Sequence, residues 1–226
     1  MNEETEASTT AIDRIGILGA GRAGTALARV AAAESIQVQI AASRPPRMLK
    51  YHLLQYAPQA TAVEPAQIAQ NVDLVVLMVP QEELDDVDPE SLAGVTLVDA
   101  TNRWVAEQLP EWFEKALARG ASSSEALAQR FTASRVVKAL NHISHWDMDS
   151  FGRRSATPRR ALAVASDHPV DAQRVAALIE RLGYDPVVLN SLADGVALEP
   201  DGQIFNQQLG ADQLRATLMR DAPEPK

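Results

Sequence analysis

Residues 15–25 read IGILGAGRAGT, an apolar run that breaks into glycines spaced G-x-G-x-x-G and leads straight into alanine-rich helix former, TALARVAAAE at 25–34. Few patterns restrict a fold as much. Gly19 permits a tight turn after a strand, Gly21 lets backbone approach a pyrophosphate, and Gly24 lets the following helix lie close to the sheet, with its N-terminal N–H groups facing the phosphates. Residues 37–42 (QVQIAA) alternate as a second strand and complete a βαβ unit. Gly19, Ala20, Gly21, Arg22 and Ala23 are therefore the candidate dinucleotide cradle.

The rest of the chain repeats this alternation, the pattern of a mostly parallel sheet covered by helices on both faces. A helix is expected at 47–56 behind Pro45-Pro46, a short strand near 61–63 and a brief helix at 65–71. The runs DLVVLMV (73–79), VTLVDA (95–100) and RVVKAL (135–140) read as buried central strands, with a helix at 124–130 whose SSSE start (122–125) has capping-box spacing. Residues 141–160 carry a histidine pair, a tryptophan and four arginines, and their polarity predicts an irregular insertion rather than core. A strand at 160–166, an amphipathic helix at 169–182 closed by Gly183, a strand at 186–189 and a final helix from Ala211 follow. The expected fold class is α/β, a Rossmann-type doubly wound, mostly parallel sheet. It divides into a dinucleotide domain at 12–140 and a small C-terminal α/β cap at 141–221 that shares or abuts its sheet, between loose tails at 1–11 and 222–226.

Composition narrows the function. A formal net charge of −9 disfavours nucleic acid and anionic membranes as partners, unless Arg153, Arg154, Arg159 and Arg160 form a local basic patch. The chain has no cysteine, so disulfides, thiolate nucleophiles and thiolate metal sites are excluded, and redox chemistry must come from an organic cofactor. Residues 1–11 lack the basic start and apolar core of a signal peptide, and no apolar run approaches the roughly 18 residues of a membrane span; a cytoplasmic protein is expected. His142, His145 and Asp147 invite a metal reading, but no second ligand cluster accompanies them, and no metal is expected.

An NAD-binding βαβ unit usually ends its second strand in an acidic residue that holds the ribose 2′-hydroxyl. Here the sequence is ASRPPR, so Ser43, Arg44 and Arg47 stand where a 2′-phosphate would sit, and NADP(H) is expected over NAD(H). The plainer alternative has Ser43 capping a helix and both arginines solvated. The nicotinamide belongs over the ends of the central strands. There Met78, Val79 and Pro80 would pack the ring, while Ala100, Thr101, Asn102 and Asn141 line the carboxamide and ribose. Hydride transfer between planar rings needs alignment and a dry site rather than a catalytic triad. A donor beside the acceptor would stabilise developing charge, a role suited to His142 or Asn141. No Tyr-x-x-x-Lys pair offers the proton donor of a carbonyl reductase.

With these landmarks, GAGRAGTALA, ASRPPR, VVLMVP, VDATN, SSSE, VVKALNHI and LEP (198–200), the chain over roughly 13–218 resembles the bacterial branch of the NADPH-dependent deazaflavin (F-420) reductases, also called dinucleotide-binding enzymes. The resemblance implies a small, usually dimeric enzyme moving hydride between NADPH and the deazaflavin coenzyme, with the serine and arginines after the second strand on the 2′-phosphate. Two positions depart from the pattern. Arg103-Trp104 follows VDATN where many relatives have proline, and the imidazole that some relatives place first after the strand stands one position later, at His142. The alternatives are an NADPH-dependent reductase of a flavin, quinone or carbonyl, or a non-catalytic NADP(H) sensor.

Overall fold

The backbone runs out of β1 (Arg14–Leu18) through the glycine turn into α1 (Arg22–Ala33) and returns as β2 (Gln37–Ala41) beside β1 in parallel register. This computed structural model describes residues 12–104, 108–150 and 153–220. After α2 (Pro46–Tyr56) come β3 (Thr61–Ala62), β4 (Leu74–Leu77) and β5 (Thr96–Asp99), then α3 (Glu111–Ala118), α4 (Ser123–Arg130) and β6 (Arg135–Ala139). The four-residue α5 (His145–Met148) precedes β7 (Ala161–Ala165), α6 (Pro169–Arg181), β8 (Asp185–Val188) and α7 (Ala211–Arg220). All eight strands form one sheet in the order β3-β2-β1-β4-β5-β6-β7-β8, parallel except where β7 runs against β6. The α/β doubly wound class read from the sequence is the one observed, and the strand order reverses between β1 and β4, where open sheets of this kind bind ligands.

Alternation along the strands sorts the core into two layers. Ile15, Ile17, Val76 and Val137 pack with α1, α2 and α6 on one face; Leu18, Val75, Leu77 and Leu97 pack with Phe113 of α3 and Leu127 of α4 on the other. A smaller cluster joins β7 and β8 to Leu214 of α7. The SSSE start forms a full capping box: Ser122 Oγ accepts from Glu125 N (3.2 Å) and Glu125 Oε2 accepts from Ser122 N (2.7 Å).

The structure corrects the reading of 141–160. Asn141, His142, Ile143 and Met148 are buried, and α5, started by Ser144 Oγ accepting from Asp147 N, packs on α1. The four arginines are not a free basic patch. Arg153 and Arg154 both pair with Glu34, Arg159 with Asp185 (2.7 Å) and Arg160 with Asp147 (3.0 Å); Arg153 and Arg160 are largely covered, while Arg154 stays exposed to solvent. Helix α3 was absent from the sequence reading, and the expected helix at 65–71 is a single 3-10 turn at Pro65–Gln67. The proposed tails at 1–11 and 222–226 lie outside the described residues.

Candidate functional site

Close approach of three chain segments builds the cradle. Gly19 has φ +124°, and a Cβ there would sit 2.4 Å from Met78 O, so the turn requires glycine both for its dihedral and for its contact with the end of β4. At Gly24 a Cβ would fall 1.9 Å from Gly19 O: α1 is pressed onto the turn. At Gly21, by contrast, a Cβ would meet nothing within 4 Å. That open space is a cleft of about 990 Å³ over the strand ends, the size range of small-molecule and cofactor sites.

Of the residues named from the sequence, Gly19, Ala20, Gly21, Arg22, Ala23, Ser43, Arg44, Met78, Val79, Pro80, Ala100, Thr101 and Asn102 all line this one cleft. Ser43 and Arg44 are exposed at its β2 end, and among the described residues Arg44 makes no hydrogen bond or ion pair. Its charge is available, unlike that of the arginines at 153–160.

Three named residues do not line the cleft. Arg47 is exposed on the first turn of α2. Asn141 is buried behind the wall, where its Nδ2 donates to Asn102 Oδ1 (3.0 Å) and Leu198 O (2.6 Å), and its carbonyl accepts from Asn102 Nδ2 (3.0 Å). It holds Asn102 rather than a ligand. His142, the proposed catalytic donor, is 1% exposed, and its Nε2 accepts from the backbone N–H of Ala163 (3.0 Å). Burial, reinforced by Arg160 and Lys138, pushes its pKa down to about 3. A neutral imidazole whose Nε2 lone pair is committed to β7 is a strap across the β6–β7 join, not a group that reaches an acceptor.

The histidine that does face the cleft is His145, on α5, its ring 4.6 Å from that of the exposed Trp146. Burial and the nearby Arg22 and Arg29 lower its pKa, which favours its neutral form. His52 of α2 also lines the cleft and pairs with Ala20 O (2.9 Å), which fixes its Nε2 as the protonated donor and braces the glycine turn. Glu82 and Glu83 line the cleft as well, as does Trp104, edge-on to Phe205 at 6.0 Å. Proton inventory gives a further sign of a polar ligand. Among the described residues three buried side-chain atoms lack a hydrogen-bond partner, and two of them, His145 Nε2 and Gln81 Oε1, belong to the cleft or the wall behind it.

Behind the cleft wall at the end of β5 lies a network the sequence reading did not assign. Lys138 and Asp99, both fully buried, pair at 3.0 Å, and Lys138 Nζ also donates to Thr101 O (2.7 Å). Asp99 accepts from Thr101 N (2.9 Å), Thr101 Oγ1 (2.7 Å) and Ser124 Oγ (2.6 Å). The signal was present: a lysine and an aspartate inside apolar strands are rarely buried unless paired.

Fold and cleft together are those of a dinucleotide-binding α/β protein, and the family match adds the class of NADP-dependent oxidoreductases. More narrowly, residues 14–103 match the family described as NADP oxidoreductase, coenzyme F420-dependent, so the resemblance read from the sequence is shown over the segment that builds the cleft. Hypothetical protein SMa0349 from Sinorhizobium meliloti superposes with a TM-score of 0.74 at 27% identity, covering 90% of this chain and 97% of that one. A candidate F420-dependent NADP-reductase from Arthrobacter sp. FB24 shares the fold with a TM-score of 0.62 at 21% identity, over 80% of this chain and 86% of that one. Metalloreductase STEAP3 of Rattus norvegicus is 27% identical over 188 residues, which are 82% of this chain and 36% of that protein. The chain thus spans about a third of that relative's length. Among the described residues no helix is long and apolar enough to cross a membrane, and no group of three or more His, Asp or Glu is arranged to hold a metal ion.

Proposed function

We propose that this protein transfers a hydride between NADP(H) and the deazaflavin coenzyme F-420. The observation that carries the reading is Arg44, which pairs with no described residue, beside Ser43 at the end of β2, in a cleft built mostly from a segment matching the F420-dependent NADP oxidoreductases. Arg44 and Ser43 would hold the 2′-phosphate through charge-assisted hydrogen bonds, and the amides opening α1 would hold the pyrophosphate. Met78, Val79 and Pro80 would exclude water from the ring's side of the cleft, and Thr101 and Asn102, pinned from behind by Asp99, Lys138 and Asn141, would orient it. NADPH supplies the hydride when bound, so the chain's own work is alignment. His145 lines the cleft on what this reading makes the acceptor's side, with the exposed Trp146 against its ring on the same short helix.

A second reading, delivery of the hydride to a different acceptor, is favoured by the similarity to the rat metalloreductase. Stopped-flow absorbance with NADPH and either the deazaflavin coenzyme or riboflavin phosphate separates the two. Bleaching of the deazaflavin in one-to-one stoichiometry with NADPH is the expected result. Turnover of riboflavin phosphate alone selects the second reading, and tight NADPH binding without turnover of either selects a sensor.

A further inference from the structure

Of the three serines that open α4, Ser122 caps the helix, while Ser123 and Ser124, each 1% exposed, send their hydroxyls to partners outside it. Ser124 Oγ donates to Asp99 Oδ2 (2.6 Å), which also takes Lys138 Nζ (3.0 Å). With that oxygen held, Asp99 Oδ1 is left for Thr101 and accepts from both its N–H (2.9 Å) and its hydroxyl (2.7 Å). Ser123 gives its hydroxyl and its backbone N–H (3.3 Å) to Oε1 of Glu199, the glutamate of LEP, so this carboxylate satisfies an N–H that the first turn of a helix leaves unpaired. Beside Glu199, Leu198 O accepts from Asn141 Nδ2 (2.6 Å). A main-chain carbonyl can only accept, so the Asn141 amide has one orientation, and it dictates that of Asn102: Asn102 Oδ1 accepts from Asn141 Nδ2 (3.0 Å) and Asn102 Nδ2 donates to Asn141 O (3.0 Å).

Two separate routes thus run from one helical turn to two consecutive residues of the cleft wall. We infer that Ser123, Ser124 and Glu199 are positioning residues for the dinucleotide: Ser124 acts through Asp99 on Thr101, and the Ser123–Glu199 pair acts through Leu198 O and Asn141 on Asn102. The inference rests on the NADP(H) reading above. Thr101 and Asn102 line the cleft, whereas none of the three positioning residues does. Both cleft residues lie beyond the end of β5 at Asp99, in irregular backbone that the sheet ladder does not hold. Loss of either route frees a cleft side chain to turn, and the ordering then has to be supplied by ligand binding, which weakens it.

The test is calorimetric titration of the full chain with NADP+. Ser123→Ala and Ser124→Ala should each raise the dissociation constant about threefold or more, while Ser122→Ala, which removes only the cap, should leave it within about twofold. Glu199→Ala should match Ser123→Ala, so the result does not hang on one variant's folding, and Glu199→Gln, which keeps an acceptor oxygen for Ser123, should restore binding to within about twofold of the wild type. Asn102→Ala should weaken NADP+ by itself, and adding Ser123→Ala to it should change little, because the side chain that Ser123 positions is gone. Wild-type affinity in Ser123→Ala, Ser124→Ala or Asn102→Ala, a Glu199→Gln as weak as Glu199→Ala, or losses that simply add in the double variant overturn the inference while NADP(H) binding stands. A wild type that does not bind NADP+ overturns the NADP(H) reading and this inference with it.

Discussion

Arg44 and His142 show how differently two sequence candidates of equal prominence fare once their surroundings are known. Arg44 is solvent-facing, pairs with no described residue and lines the cleft, so Arg44→Ala should raise the NADPH dissociation constant at least about tenfold and leave NADH little changed; equal affinities before and after, measured by fluorescence titration, would discard the 2′-phosphate assignment. His142 is instead a neutral structural acceptor whose pKa burial has pushed down to about 3. The unfolded chain takes up a proton as pH falls through about 6.5, and the native state does not until about 3. Stability held above pH 6.5 should therefore drain across that window, by up to roughly 1.4 kcal/mol per pH unit from this group. Urea unfolding at several pH values should show His142→Asn less stable at neutral pH but with a flatter acid limb than the wild type. The sequence marked both residues as polar at a strand end, and that signal alone does not separate a side chain facing the cleft from one turned back onto a neighbouring strand.

Elements announced themselves where local chemistry and tertiary packing agree. The buried strands β4, β5 and β6 stood out as apolar runs, and the box at Ser122 and Glu125 was written in the spacing alone; Ser122→Ala should cost about 1 kcal/mol in chemical denaturation. Helix α3 was missed, although its signals stand in the sequence: Pro110 before it, Phe113 and Ala116 spaced to face the core, and Gly120 after it at φ +92°. The stretch around α5 was not legible. Its polarity reports partners within the fold, such as Arg160 on Asp147 and Tyr184 Oη on Met148 O (3.0 Å), and a composition rule cannot tell a paired arginine from a hydrated one. Lys138 is the clearest case. Lys138→Met should destabilise by about 3–5 kcal/mol because it strands Asp99 without its cation, whereas Lys138→Met combined with Asp99→Leu should recover part of that loss; thermal and urea unfolding of the pair form the double-mutant cycle.

Across the whole molecule the C-terminal segment is sewn to the dinucleotide-binding half. Glu34, at the end of α1, takes both Arg153 and Arg154, while Arg181 of α6 donates to Glu34 O (3.0 Å) and pairs with Asp13 (3.1 Å). Glu34→Gln should lower stability by about 1 kcal/mol, chiefly because the partly buried Arg153 loses its counter-ion while the exposed Arg154 pair is screened by water, and should raise amide hydrogen exchange around residues 153–157.

The antiparallel turn of β7 against β6 has a mechanical meaning. Because the sheet runs from β3 to β8 as one hydrogen-bonded surface, β6 and β7, the strands on either side of α5 with its His145 and Trp146, belong to the same sheet as β1 and its glycine turn, so both sides of the cleft are carried by one scaffold. Ligand traffic through this cleft is then governed by the side chains and loops at its rim, on the nanosecond-to-microsecond scale of loop motion rather than the slower scale of domain closure.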